Sequence, residues 1–369
     1  MGSAHTRAEM FTTSSPQPAS ETRSVSPQRL QAKRGRVAVL LNANAKRVNE
    51  RVRQDFARIV PSEDLFFSRS FEEAEDIAST LIQRRYDVVM AGGGDGTIVH
   101  TMNNLIRAAD RAAHGMVRPP LPDLGILRLG TGNGLAAACG AKKPIEDTLR
   151  VLSGKGPRAR PLSLIEEVGG RVFPFASLGY DAQLLNDFQD LVAESQTDLS
   201  RAFHKSLPGY FYALFSRTVP KELQGEKARI RVVSSGRASM LDPTTDEEVP
   251  LAPGATLFEG VARSVAMGTT PYYGYELKIF PFAERRSDRF HLRVSTAGIP
   301  QLLFNLPSVW KGTFRSPDVV DFLVEGVRIE SSTPLAYQSA GDARGQQTSL
   351  DLRLSPRTFR VLDDVERAA

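Results

Sequence analysis

The chain has 369 residues, of which 41% are hydrophobic and 24% charged, with a net charge of +5 and a pI near 9.3. That length suits one large or two medium domains, and the single cysteine, Cys139, excludes intramolecular disulfides and a cysteine-based zinc site. No run of about 18 apolar residues could span a bilayer, no apolar leader is visible, and no basic block or RNP, zinc-finger or helix-turn-helix pattern points to nucleic acid.

Residues 1–34 are rich in Ser, Thr, Pro, Gln and Arg and read as a disordered tail. The start Met1-Gly2-Ser3-Ala4-His5-Thr6 formally fits a myristoylation pattern. From Arg36 the texture changes. The apolar run Val37–Leu41 suits a strand buried on both faces. A helix is expected over 48–59, a short strand over 65–67, and a helix over 71–84 with acids in its first turn. Asp87–Ala91 forms the next strand, a glycine run opens a helix through Ile98, Met102 and Leu105, and Leu124–Leu127 is a further strand. This alternation predicts a parallel sheet with helices on both faces over residues 35–160.

Beyond residue 161 the pattern becomes strand-like, as in Ala228–Val233 and Phe290–Val294, with turns at Asp242-Pro243 and Pro253-Gly254. Residues 161–369 are expected to form a β-rich, sandwich-like domain, its last strands free to return to the first. Two apolar helical segments interrupt it, at 203–215 and 301–310. The stripe Phe203, Leu207, Tyr210, Phe211, Leu214 and Phe215 fits one helix face. It reads as core packing in preference to a lipid gate.

The chemistry concentrates in two glycine-rich strand ends. Gly92-Gly93-Gly94-Asp95-Gly96-Thr97 follows a buried strand and opens a helix, so its backbone N–H groups and the helix N-terminus can face phosphate oxygens. It has neither P-loop nor Rossmann spacing. A carboxylate beside phosphates needs a cation between them, so Asp95 is the expected Mg²⁺ contact; a helix cap is the plainer alternative. Gly130-Thr131-Gly132-Asn133-Gly134 ends a second strand, and Asn133 could offer its amide to a nucleotide or cap a helix. Both turns fall on the carboxyl edge of the sheet, where such sheets bind ligands.

Together with Leu135-Ala136, these turns resemble the diacylglycerol kinase catalytic family, which includes sphingosine kinases and bacterial lipid kinases. Ser177-Leu178-Gly179-Tyr180-Asp181-Ala182, Pro271-Tyr272-Tyr273-Gly274 and Ile279-Phe280-Pro281-Phe282-Ala283 resemble its later motifs. The resemblance implies an ATP-binding α/β domain, a β-sandwich domain, and a cleft between them where Mg²⁺-dependent transfer phosphorylates a lipid hydroxyl. It implies a nucleotide held by Gly92, Gly93, Gly94, Asp95, Gly96, Thr97, Gly130 and Thr131, with Asn42, Ser68 and Asn133 nearby, and a lipid headgroup at Asp181.

The sequence departs from the family at Asn42-Ala43-Asn44-Ala45-Lys46, at Gly134, at Arg285 and Asp288-Arg289, and at Gln338-Ser339-Ala340-Gly341-Asp342. The last aligns with an Asp-Gly-Glu motif, leaving Asp342 as its one acid and the expected general base, a catalytic role that Asp95 could share in competition with its magnesium duty. His100 reads as helix packing. The whole implies a cytoplasmic, transiently membrane-associated enzyme using ATP and Mg²⁺, with a lipid partner and no inferable protein or nucleic-acid partner. A small-molecule kinase resembling NAD kinases and a weakly catalytic lipid or nucleotide sensor are the alternatives.

Overall fold

The computed structural model describes residues 35–365 except Lys46, His114, Met116, Thr131, Lys205, Gly225 and Glu226. The tail and its myristoylation pattern therefore lie outside the described residues, as does Thr131.

The first half alternates as its periodicity dictates: β1 (Val37–Asn42), α1 (Glu50–Ala57), β2 (Leu65–Ser68), α2 (Phe71–Gln83), β3 (Val88–Gly93), α3 (Asp95–Ala113), β4 (Asp123–Arg128), α4 (Gly134–Ala138), α5 (Pro144–Leu152) and β5 (Ala159–Leu162). Side chains set the helix starts. Asn49 accepts the Val52 N–H at 3.0 Å, and Ser70 accepts that of Glu73 at 3.1 Å.

The second half runs β6 (Ile165–Glu167), β7 (Val172–Phe173), β8 (Phe175–Gly179), α6 (Tyr180–Ala193), α7 (Asp198–His204), α8 (Leu207–Ala213), a π-helical turn (Leu214–Thr218) and α9 (Val219–Gln224). Strands follow as β9 (Arg229–Ser234), β10 (Ala238–Leu241), β11 (Glu248–Leu251), β12 (Thr256–Val261), β13 (Ser264–Gly268) and β14 (Phe290–Ser295). The chain ends with α10 (Ile299–Phe304), α11 (Leu306–Lys311), β15 (Val319–Val324), β16 (Gly326–Ser339), β17 (Asp342–Leu354) and β18 (Phe359–Leu362).

Among the described residues the first sheet has the order β2-β1-β3-β4-β18-β5, parallel except for β5. It is covered on both faces. Leu40 and Ala91 pack with Leu81 of α2 and Met102 of α3, while Leu41 and Met90 pack with Phe56 of α1 and Val151 of α5. The strand order reverses between β1 and β3, the position at which open α/β sheets present a ligand crevice.

The second sheet is antiparallel, ordered β11-β10-β15-β14-β13-β8-β16-β17-β6-β7, with the β9–β12 pair branching from β16. The two sheets share one core. Phe173, Phe290 and Phe322 belong to the same buried cluster as Leu40 and Met102.

The apolar segments at 203–215 and 301–310 each break in two, where one continuous helix was expected. Ser206 accepts the Gly209 N–H and Pro208 follows, which starts α8 afresh; Pro307 does the same for α11. These proline start signals override the apolar periodicity.

Strand β18 carries the chain back into the first sheet, where Val361 pairs with Leu124 and Phe359 is 1% exposed. Phe359→Ala should cost about 3–5 kcal/mol of stability through the cavity it leaves, read as an earlier denaturant midpoint by circular dichroism. A midpoint shift within experimental error would mean that β18 adds little to the sheet.

Candidate active site

The site begins where β1, β3 and β4 end side by side. Leu41 pairs with Gly92 and Gly93 with Arg128, so both glycine turns leave the sheet at one level. They touch: a Cβ on Gly130 would lie 2.1 Å from the Gly94 Cα, a distance only glycine permits.

Asp95 joins the two turns. Its Oδ2 accepts the Gly134 N–H at 2.8 Å and its Oδ1 accepts the Leu135 N–H at 2.9 Å. It is 8% exposed, and burial pushes its carboxyl above the usual range against the pull of those two N–H groups. The cap reading of this residue is thus realised, though on the helix of the other turn. Each oxygen keeps acceptor capacity beyond the N–H it receives.

The neighbouring predicted residues shape this crevice in different ways. Asn42 donates to Thr97 Oγ1 at 2.9 Å, joining β1 to α3, and its own Oδ1 accepts the Asn44 N–H. Asn133 adopts a left-handed backbone (φ 52°) and is 3% exposed. Its amide grips both the N–H and the carbonyl of Gly130, at 2.9 and 2.7 Å. Its contacts thus fix the turn. Ser68 is buried beside Asn42 in the register, its carbonyl accepting the Ala43 N–H at 2.9 Å.

The antiparallel sheet supplies the opposing wall. Gly179 (φ 113°) launches α6, placing Asp181 in its first turn. Asp181 accepts from Ser264 Oγ at 3.0 Å and, weakly, from Tyr273 OH at 3.5 Å. Burial raises its carboxyl despite these bonds. Tyr273 OH in turn accepts from Gln338 Nε2 at 2.7 Å and meets Ser177 Oγ at 3.1 Å. Gln338 and Ser177 are fully buried, so this is a closed polar network inside the second sheet.

Gln338 also accepts the Gly341 N–H at 2.9 Å. That bond steadies a two-residue turn in which Ala340 and Gly341 both have positive φ, 52° and 85°. The turn delivers Asp342 to the first glycine turn. A Cβ on Gly96 would lie 2.7 Å from Asp342 Oδ1. Oδ2 meets His100 Nε2 at 2.9 Å and Arg171 at 3.2 Å. Burial opposes ionisation of Asp342, but His100 and Arg171 hold it below the usual carboxylate range.

From the glycine turns a cavity of about 590 Å³ runs into an apolar chamber. Asn42, Gly94, Asp95, Gly96, Thr97 and Gly130 line its polar end, with Asp181, Tyr273 and Gln338 also on its wall. The rest of the wall is Leu184 and Phe188 of α6, Tyr210 and Phe211 of α8, Leu214, and Ile299, Leu303 and Trp310 of α10 and α11. Asp187, wholly buried on α6, accepts from Thr218 at 2.7 Å and pairs with Lys221, pinning the π-turn against α6.

The 203–215 stripe, read as core packing, divides. Tyr210, Phe211 and Leu214 face the cavity, while Phe203 and Phe215 are 47% and 56% exposed.

The cavity wall therefore gathers Asn42, Gly94, Asp95, Gly96, Thr97, Gly130 and Asp181, while Ser68, Gly92, Gly93 and Asn133 support it from behind. Asp342 touches the first turn through Gly96. The segment 285–289 is engaged in ion pairs with Glu248 and Arg237. His100, Arg171 and Gln338 received no site role in the sequence. The one cue was the position of His100 a helical turn beyond the glycines.

A parallel sheet with two touching glycine turns at its switch point faces an antiparallel body with an apolar chamber. Residues 36–164 match the Diacylglycerol kinase catalytic domain. It is 22% identical over 328 residues to "Probable lipid kinase YegS-like" of Klebsiella pneumoniae (strain 342), covering 88% of this chain and 92% of that one. A diacylglycerol kinase structure from Bacillus anthracis str. Sterne superposes with a TM-score of 0.61 at 16% identity, covering 90% of this chain and 98% of that one. Another chain from that strain gives 0.63 at 14%, covering 91% and 98%.

The two-sided acceptance by Asp95 makes it sensitive to an amide. Asp95→Asn turns one acceptor into a donor facing a backbone N–H, leaving a buried group unpaired at a cost of about 1–3 kcal/mol. The expected result is a lower melting temperature. An unchanged melting curve would contradict the joining role.

Proposed function

We propose that the protein is an ATP- and Mg²⁺-dependent kinase that transfers the γ-phosphoryl group to the hydroxyl of a lipid of the diacylglycerol or sphingoid type. The observation that carries this is the continuity of one cavity from the two glycine turns into an apolar chamber. A small-molecule kinase has no use for that chamber, which favours an amphiphile over an NAD-like acceptor.

In this reading the turns around Gly94, Gly96 and Gly130 cradle the ATP phosphates with backbone N–H groups and the N-terminus of α3. Asn42 and Thr97 border the nucleotide. Among the described residues no three His, Cys, Asp or Glu cluster to hold a metal. Magnesium needs no such cluster, since it keeps several waters and takes one or two carboxylates plus substrate phosphates. Asp95, on the cavity wall with acceptor capacity to spare, fits that role. When bound, the ion would neutralise charge on the β- and γ-phosphates.

The lipid's chains occupy the chamber and its headgroup meets Asp181 and Tyr273. Asp342 takes the proton of the acceptor hydroxyl as the hydroxyl oxygen bonds to the γ-phosphorus. The bond from that phosphorus to the β–γ bridging oxygen breaks, and ADP leaves with the electron pair. Among the described residues no helix is long and apolar enough to cross a membrane. The acceptor is proposed to be met at a membrane surface, in transient visits from the cytoplasm.

Labelled ATP, Mg²⁺ and purified protein should move label into a lipid extract, and fractionating the product would name the lipid class. Binding of ATP and lipid without transfer would favour the sensor reading. Asp342→Asn should lower turnover by about 10²- to 10⁴-fold while ATP affinity stays within a few-fold; an equal loss in both would make Asp342 a nucleotide contact. Leu214→Trp, which fills the chamber wall, should raise the lipid KM well above wild type and spare the ATP KM. A matched rise in both would place the chamber outside the lipid path.

A further inference from the structure

The geometry points to His100 and Arg171 as positioning residues that clamp one oxygen of Asp342 so that its other oxygen stays aimed at the phosphate-binding turn. This rests on the reading of Asp342 as general base.

The two oxygens of Asp342 have different surroundings. Oδ2 meets His100 Nε2 and an Arg171 N–H, at 2.9 and 3.2 Å. Oδ1 faces Gly96, so close that a methyl there would stand 2.7 Å from it. A carboxylate on a hairpin residue is otherwise free to rotate and exchange its oxygens. Two donors on the same oxygen remove that freedom and leave the second oxygen directed at the helix N-terminus.

Both clamp residues are registered to the helix that opens with the phosphate turn. His100 lies four residues after Gly96, so the two share one face of α3. Arg171 is carried by the residue next to it, since Asn103 of α3 donates to the Val172 carbonyl at 2.8 Å and accepts the Val172 N–H at 3.0 Å. Gly96, His100 and Asn103 therefore place the turn and both clamps from a single rigid element. Phe71, at the start of α2, lies against the His100 ring at 5.1 Å between centroids. The backbone side of Asp342 is fixed separately, by Gln338 on the Gly341 N–H.

The pairing has little value as a stability device. The side chains are 35%, 16% and 32% exposed for His100, Arg171 and Asp342, and partly exposed ion pairs contribute little to folding. Its effect lies in orientation and in charge. The titratable and charged groups facing Asp342 are His100 from α3 and Arg171 from the turn before β7, while nearby Arg344 and Glu167 face each other. Removing a clamp lets burial push the Asp342 carboxyl upward, so the ionised form required of a base is lost at a higher pH.

The test uses the full chain with ATP, Mg²⁺ and a total membrane-lipid extract in mixed micelles, comparing His100→Gln, Arg171→Met and Arg171→Lys with Asp342→Asn. The expected result for His100→Gln and Arg171→Met is a fall in turnover of about tenfold or more. The ATP KM should stay within twofold, and the acid limb of the pH–turnover profile should move to higher pH. Arg171→Lys should recover part of the loss, and its melting temperature should match the wild type. Turnover and acid limb both unchanged, with Asp342→Asn inactive, would overturn the clamp and leave the base intact. Full turnover in Asp342→Asn would remove the base reading and the clamp with it. A raised ATP KM at unchanged turnover would make His100 and Arg171 phosphate ligands instead, which also overturns the proposal.

Discussion

The site depends on one buried carboxylate held between two backbone turns. Asp95 accepts an N–H from each of the first two residues of α4, and so ties the turn after β3 to the helix that follows β4. The burial that raises its proton affinity is only partly opposed by those same two N–H groups, which favour the charged form. Only because this joint closes can Gly94 and Gly130 approach to backbone contact. Asn133 then completes the arrangement by gripping Gly130 on both of its peptide groups. Where Gly94 and Gly130 line the crevice the wall is main chain, which would need no side-chain reorganisation to receive the proposed phosphate, the condition for preorganised electrostatic binding.

Helix α3 carries that order across to the antiparallel body. Its N-terminus belongs to the first glycine turn, and its buried Asn103, 6% exposed, bonds Val172 on both sides. An asparagine inside a helix usually weakens it. Here the amide replaces a strand partner for β7, so the distance between the glycine turn and the second sheet is set by hydrogen bonds and by apolar packing together. Asp342 and Asp181, which reach the crevice from that second sheet, inherit their placement from this joint.

The parts of the fold legible in the sequence are those whose signals are local. The strand–turn–helix rhythm of residues 36–152 follows from apolar runs, caps and glycines within a few positions of one another. The antiparallel second half could be read from alternation such as Arg229–Ser234, although its order could not, because pairing β8 with β13 and β16 joins residues far apart in the chain. The polar network of Ser177, Tyr273 and Gln338 was illegible for the same reason: no one of the three has a partner nearby in sequence. His100 was legible as a helix position but not as a partner of Asp342. The break of the 203–215 stripe is a different case. Ser206 and Pro208 announce a new helix start, and the apolar periodicity around them concealed it.

In the proposed reading, the contrast between the two ends of the cavity bears on how an amphiphile would lie in it. Gln338 and Ser177 are fully buried and bonded to Tyr273, so the wall beside Asp181 offers satisfied polar groups with fixed dipoles. The chamber wall beyond, from Leu184 to Trp310, has almost none. A hydroxyl drawn into the apolar chamber would lose its hydrogen bonds without replacement, at a cost of several kcal/mol. Aliphatic chains placed at the glycine turns would leave those N–H groups unpaired. The two penalties act in the same sense: each disfavours the reversed orientation, so under the proposed function the polar head of a lipid would be driven toward the glycine turns by what both ends of the cavity exclude.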